Sequence, residues 1–188
     1  MTSNNTNTIV IVSGLPRSGT SMMMQMLSNG GLTALTDDIR TQDISNPKGY
    51  FEYEKVKSLA QDAQWLHLAQ GKVVKVIAQL VPFLPKQFNY KIILMQRDIN
   101  EILASQQKML GKDTAVIPFV LADIFTKQLQ DTEQFIASRS NMDVLSIHYK
   151  QVIDAPLEQA NSIASFLNMD LNMEALIDSI DQNLYRNK

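Results

Sequence analysis

Cysteine is absent from the 188-residue chain, which excludes disulfides, thiol nucleophiles and cysteine-built zinc sites. No apolar run approaches the roughly 20 residues of a membrane-spanning helix, so no membrane partner is expected. The opening stretch MTSNNTNT is polar and uncharged; with neither a basic n-region nor an apolar h-region it does not read as a signal peptide. The expectation is a cytoplasmic protein whose residues 1–7 are flexible. A net charge of −2 supplies no broad basic field and argues against a nucleic-acid partner. An anionic ligand would then need locally placed cations. No His, Asp or Glu cluster has metal-ligand spacing. Repeats, low-complexity tracts and Gly/Ser linkers are also lacking. The chain therefore reads as one domain, 1–188, long enough to bury a core, and its 45% hydrophobic and 19% charged residues are those of an ordinary globule. Nothing in it reports an oligomeric state.

Short β-rich runs alternate with longer helical patterns. "TIVIVSG" (8–14), "KVVKVIA" (72–78), "YKIILMQ" (90–96) and "DVLSIHY" (143–149) predict strands. The first and third are nearly continuous apolar runs, as in strands covered on both faces of a parallel sheet. Helices are expected over 19–29, over about 52–70 with Val56, Leu59, Ala60, Ala63 and Leu66 at helical spacing, and over 116–138 and 155–167. Another should start at Asp98, with Glu101 three residues on as in a capping box. The pattern predicts an α/β fold: a doubly wound, three-layer α/β/α arrangement with a mainly parallel sheet. Ligands of such sheets bind beyond the carboxyl ends of the strands, so residues just after each strand are the ones to inspect.

After the first strand comes "SGLPRSGTSMMM" (13–24). It fits the phosphate-loop pattern G-x-x-x-x-G-K-[ST] through Gly14, Gly19 and Ser21, but Thr20 stands where the lysine belongs. Strand, loop and helix form the context an anion site needs: converging backbone N–H groups, a favourable helix dipole and glycines that permit close approach. Without the lysine that reaches β- and γ-phosphates, Arg17 is the cation at hand. Met23, Met26 and Leu27 share one face of the following helix and belong to the core.

"LPRSGTSMM" resembles the 5′-phosphosulfate-binding loop of the sulfotransferase family, a P-loop-type fold in which Pro-Arg or Pro-Lys followed by Ser-Gly-Thr replaces the Walker arrangement. The resemblance implies 3′-phosphoadenosine 5′-phosphosulfate (PAPS) as donor, held by Pro16, Arg17, Ser18, Gly19, Thr20 and Ser21, with no metal required. Such a donor calls for a separate 3′-phosphate site. "ILMQRDINEILASQQ" ends a strand with Arg97 and places Ser105 eight residues on, about two helical turns in, similar to the family's 3′-phosphate motif. Taken alone, Arg97 can equally pair with Asp98. "NPKGYFE" (46–52), "IHYKQVIDAPLEQANSIASFLNM" (147–169) and the terminal "DQNLYRNK" carry weaker similarities, so the resemblance spans almost the whole chain.

Sulfuryl transfer needs in-line attack, removal of the acceptor's proton and a cation near the leaving phosphate. Arg17 and Lys75, at the carboxyl end of the second strand, are the candidate cations; Lys75 can also be a strand-end lysine reaching solvent. Asp38, in the "TDDIR" loop beside Asp37, and Glu52, opening the helix after "NPKGYF", are the candidate bases. His148 reads as a structural strand histidine and His67 as packing near Trp65. The acceptor, a small molecule or saccharide with a hydroxyl or amine, is not specified. Its pocket falls to loop 31–50 and to segment 109–118, with Gly111 and Pro118, while Tyr50, Phe51, Tyr53, Phe83 and Phe88 can line it or be core. A P-loop kinase and a non-catalytic nucleotide-binding protein remain the alternatives.

Overall fold

Four β-rich runs build the sheet of the computed structural model, which describes residues 7–37, 39, 49–109 and 119–180, of residue 119 the backbone only. β1 (Thr8–Gly14), β2 (Val73–Lys75), β3 (Asn89–Gln96) and β4 (Met142–His148) are all parallel, in the order β2-β1-β3-β4. β1 is central and its Ile9, Val10, Ile11 and Val12 are wholly buried. Successive side chains point to opposite faces, so each face of β1 meets its own helical layer.

On one face Val10 and Val12 join Met23, Met24, Met26 and Leu27 of α1 (Thr20–Asn29), together with residues of α4 (Tyr149–Asp154), α5 (Pro156–Leu167) and α6 (Met173–Asp178). On the other, Ile9 and Ile11 pack with Trp65, Leu66, Val81 and Ile136, the last from α3 (Phe119–Ala137). Leu15 of the loop after β1 meets Ile102 and Leu103 of α2 (Ile99–Met109) and Phe125 of α3 in a smaller cluster. This is the expected doubly wound arrangement. Each wholly buried Val, Ile or Met contributes about 1.5–3 kcal/mol, and β1 with α1 supplies a large share of them.

Caps locate the helices. Gly31, at φ 105, lets the Leu32 N–H reach the Leu27 carbonyl at 2.9 Å and closes α1. Asp98 Oδ1 accepts from the N–H groups of Asn100 and Glu101 at 2.9 and 3.1 Å and opens α2. Lys91, on β3, donates from Nζ to the last carbonyls of α5, Phe166 at 2.6 Å and Leu167 at 3.0 Å.

The single helix expected over 52–70 is corrected to two 3₁₀ turns, Glu54–Ser58 and Gln64–Ala69. Local side chains break it: Ser58 Oγ donates to the Lys55 carbonyl, and Asp62 Oδ1 accepts from the Gln64 N–H. Val56, Leu59 and Leu66 are buried all the same, so the apolar spacing reported burial rather than a continuous helix. Glu52 accordingly opens no helix and lies two residues before the first turn. β2 is shorter than 72–78, because the chain turns at Ala78 into a third 3₁₀ segment, Ala78–Phe83. Outside the described residues fall 1–6, where flexibility was expected, Asp38, positions 40–48 of the 31–50 loop, 110–118 with Gly111 and Pro118, and the terminal "DQNLYRNK".

Candidate functional site

From β1 the chain continues to β2 on one side, and from β3 to β4 on the other. The carboxyl ends of β1 and β3 therefore form a topological switch point, where open α/β sheets place their ligands. The loop between β1 and α1 sits on this edge. Gly14 has φ 149, Gly19 φ 101 and Arg17 φ 72. A left-handed Arg costs on the order of 1 kcal/mol and is held here by its surroundings. The Ser18 N–H donates to the Leu15 carbonyl at 3.1 Å. Ser18 is 1% exposed and, among the described residues, its hydroxyl oxygen has no hydrogen-bond partner, nor has that of the buried Ser13 at the strand end. Gly19 is sterically required, because a Cβ there would lie 2.4 Å from Cδ2 of Tyr149.

The fold brings Arg97 and Ser105 to this loop. Arg17 Nε donates to Ser105 Oγ at 3.0 Å, and Arg97 Nη1 donates to the Arg17 carbonyl at 3.2 Å. The Arg97 side chain is 8% exposed and ion-pairs through Nε with Glu101 Oε2 at 2.8 Å. Glu101, in the first turn of α2, thus holds Arg97, while the exposed Asp98 caps that helix. The guanidinium carbon lies over the Tyr149 ring, 4.5 Å from its centroid, within cation–π range.

A third cation enters from β2. Lys75 is 7% exposed, which excludes the reading of a strand-end lysine reaching solvent. Its Nζ donates to the Tyr50 carbonyl, approaches Ser21 Oγ at 3.4 Å and pairs with Glu52 Oε1 at 3.3 Å. Glu52 thus stands one lysine away from the first turn of α1. Ser21 Oγ donates to the Tyr50 carbonyl at 3.4 Å, tying the same segment to the helix.

Other candidates are placed elsewhere. Asp37 accepts from the N–H groups of Glu54 and Ile39, a turn-capping role, while its neighbour Asp38 lies outside the described residues. His67 is exposed, its Nδ1 2.5 Å from the Gln64 carbonyl; it does not pack in the core, because the turn buries Trp65 and Leu66 instead. His148 is exposed at the end of β4. Tyr50 and Phe88 are buried, Tyr53 stacks edge-on against Trp65 at 5.2 Å, and Phe83 is 49% exposed.

Tyr149 and Glu101 were quoted within the sequence motifs, yet neither was given a part in the site. Both lie where the strand-end rule points: Tyr149 is the first residue after β4, and Glu101 is in the first turn of α2, just after the β3 end that carries Arg97. Chemically the cluster offers guanidinium groups, an ammonium, hydroxyls and the backbone donors of a helix N-terminus, a donor set suited to an anion. Among the described residues no group of His, Asp and Glu is placed to hold a metal ion, and no helix is long and apolar enough to cross a membrane.

The chain matches the sulfotransferase domain family over residues 7–188 and belongs to that family. No curated protein matches it by sequence. Among solved structures it is similar to the sulfotransferase domain from the Synechococcus PCC 7002 olefin synthase, at 14% identity over 99% of this chain and 82% of that one, with a TM-score of 0.58. It is similar also to the sulfotransferase domain from the curacin biosynthetic pathway, at 14% identity over 94% of this chain and 78% of that one, TM-score 0.57. At these identities the likeness is one of fold.

Proposed function

We propose that this family member moves a sulfuryl group from PAPS to a hydroxyl or amine of a small-molecule or saccharide acceptor. The observation that carries the reading is the meeting of Arg17 with Ser105, 88 residues away in sequence, at 3.0 Å. The loop expected to take the 5′-phosphosulfate and the pair expected to take the 3′-phosphate are thereby neighbours. The Ser18 hydroxyl, without a partner among the described residues, fits a loop made to receive a further group.

When bound, the donor supplies a sulfur that the acceptor attacks in line, with the bond to the bridging oxygen breaking as the new bond forms. The protein's part is to bind, orient and balance charge. Pro16, Arg17, Ser18, Gly19, Thr20 and Ser21 hold the 5′ end, and Arg97 with Ser105 the 3′-phosphate. Arg17 and Lys75 neutralise charge that develops on the departing phosphate. Glu52, beside Lys75, takes the acceptor's proton.

The test is calorimetric titration with adenosine 3′,5′-bisphosphate, wild type against Arg17→Ala and Arg97→Ala, in chelator. A hydrogen bond to a charged group is worth about 1.5–3 kcal/mol, so each substitution should weaken binding roughly 10- to 150-fold. Glu52→Gln should leave this binding unchanged and lower the rate of sulfate transfer from PAPS. If neither arginine substitution weakens binding, the reading is wrong. A requirement for Mg²⁺ with a nucleoside triphosphate would favour a kinase instead.

A further inference from the structure

We infer that Tyr149 couples the two anion-binding halves of the site, so that filling one tightens the other. The inference rests on the donor reading above and goes beyond it, because contact residues alone require no communication. One ring touches both halves. Its face lies 4.5 Å from the Arg97 guanidinium, while its edge fills the space where a side chain at Gly19 would begin, 2.4 Å from the position of a Cβ. The ring is buried, so neither neighbour can shift without moving it.

The second link is polar. Arg97 is gripped at Nε by Glu101 and donates from Nη1 to the carbonyl of Arg17. Arg17 is the left-handed residue of the loop, and its own side chain donates back to Ser105 on α2. The loop backbone, α2, the end of β3 and the start of α4 thus form one closed circuit through Arg17, Ser105, Arg97 and Tyr149. An anion that orders Arg97 also orders the carbonyl of Arg17 and the ring against Gly19. The loop then meets its own anion with less freedom left to lose, which is positive cooperativity. Discrimination against a donor lacking the 3′-phosphate would then exceed the loss of the direct contact.

The test uses the full chain and two fragments, adenosine 3′-monophosphate for the Arg97 side and inorganic pyrophosphate for the loop. Calorimetry gives the Kd of pyrophosphate with and without saturating nucleotide. In wild type the nucleotide should tighten pyrophosphate about fivefold or more, and linkage requires the reciprocal effect to be equal. Tyr149→Leu should lower the factor, leaving only what the polar link carries, while each fragment still binds alone; Tyr149→Phe, which keeps the ring, should retain it. Should the Leu variant not fold, Glu101→Gln carries the same question, because untying Nε must lower the factor. Independent binding in wild type, or a factor unchanged by Tyr149→Leu or Glu101→Gln, overturns the coupling. Failure of both fragments to bind wild type overturns the donor reading instead.

Discussion

Gly19→Ala is the sharpest probe of the loop. Gly19 has φ 101, so an alanine there is strained by roughly 1–2 kcal/mol before any contact is counted. Its Cβ would also lie 2.4 Å from Cδ2 and 3.1 Å from Cε2 of Tyr149. That ring is buried and backed by Arg97, so it cannot swing aside freely, and such overpacking adds about 1–3 kcal/mol. The expected total is roughly 2–5 kcal/mol of lost stability, read as a fall in urea midpoint at unchanged m-value. The two parts separate in a double-mutant cycle. With Tyr149→Ala in place the clash is gone, and Gly19→Ala should cost only the roughly 1–2 kcal/mol of backbone strain. An equal cost in both backgrounds would show that the ring is not what forbids a side chain at position 19. A cost below about 0.5 kcal/mol in wild type, the level of an ordinary surface change, would refute the loop geometry itself.

Two further outcomes concern stability. Asp98→Ala removes the acceptor for two backbone N–H groups of α2 and should cost about 1 kcal/mol in chemical denaturation, with Asp98→Asn sparing most of it. Because α2 carries Ser105, the Ala variant should also weaken adenosine 3′,5′-bisphosphate. Burial raises the Tyr90 phenol well above the ordinary tyrosine value, the charge of Arg139 opposing this, and its hydroxyl donates to the Pro85 carbonyl at 2.9 Å. The unfolded chain ionises this group near pH 10 while the folded one keeps the proton. The contribution is therefore complete below about pH 10 and is lost as pH rises beyond it. Denaturant midpoints at pH 9 and 11 should fall more for wild type than for Tyr90→Phe; parallel falls would contradict the assignment.

Strands were legible because β1 and β3 are covered on both faces, and a run such as Ile9–Val12 allows little else. That the loop after β1 and the residues Arg97 and Ser105 share one edge of the sheet was legible because each follows a parallel strand at its carboxyl end. What escaped were relations between segments distant in sequence. Nothing local to Lys75 tells that Tyr50 and Glu52 will cover it, and nothing local to Tyr149 tells that its ring edge will meet Gly19. The segment 52–70 misled for a different reason. Burial on one side asks only that apolar residues recur every three or four positions, which 3₁₀ turns satisfy as well as a helix does, and Ser58 and Asp62 decide between them.

The parallel order of the sheet also has a consequence in time. The central pairing joins β1 to β3, and the contact that closes the site, from Arg97 to the carbonyl of Arg17, spans 80 residues of sequence. Such distant pairings must meet the entropy of closing a long loop before any contact rewards it, which makes parallel sheets slow to form. On the proposed reading the nascent chain has both arginines long before it has a site, and competence to bind should arrive with the closure of the sheet's centre. A nucleotide present during refolding would then act late, on the finished molecule, slowing its unfolding while leaving its rate of formation nearly untouched.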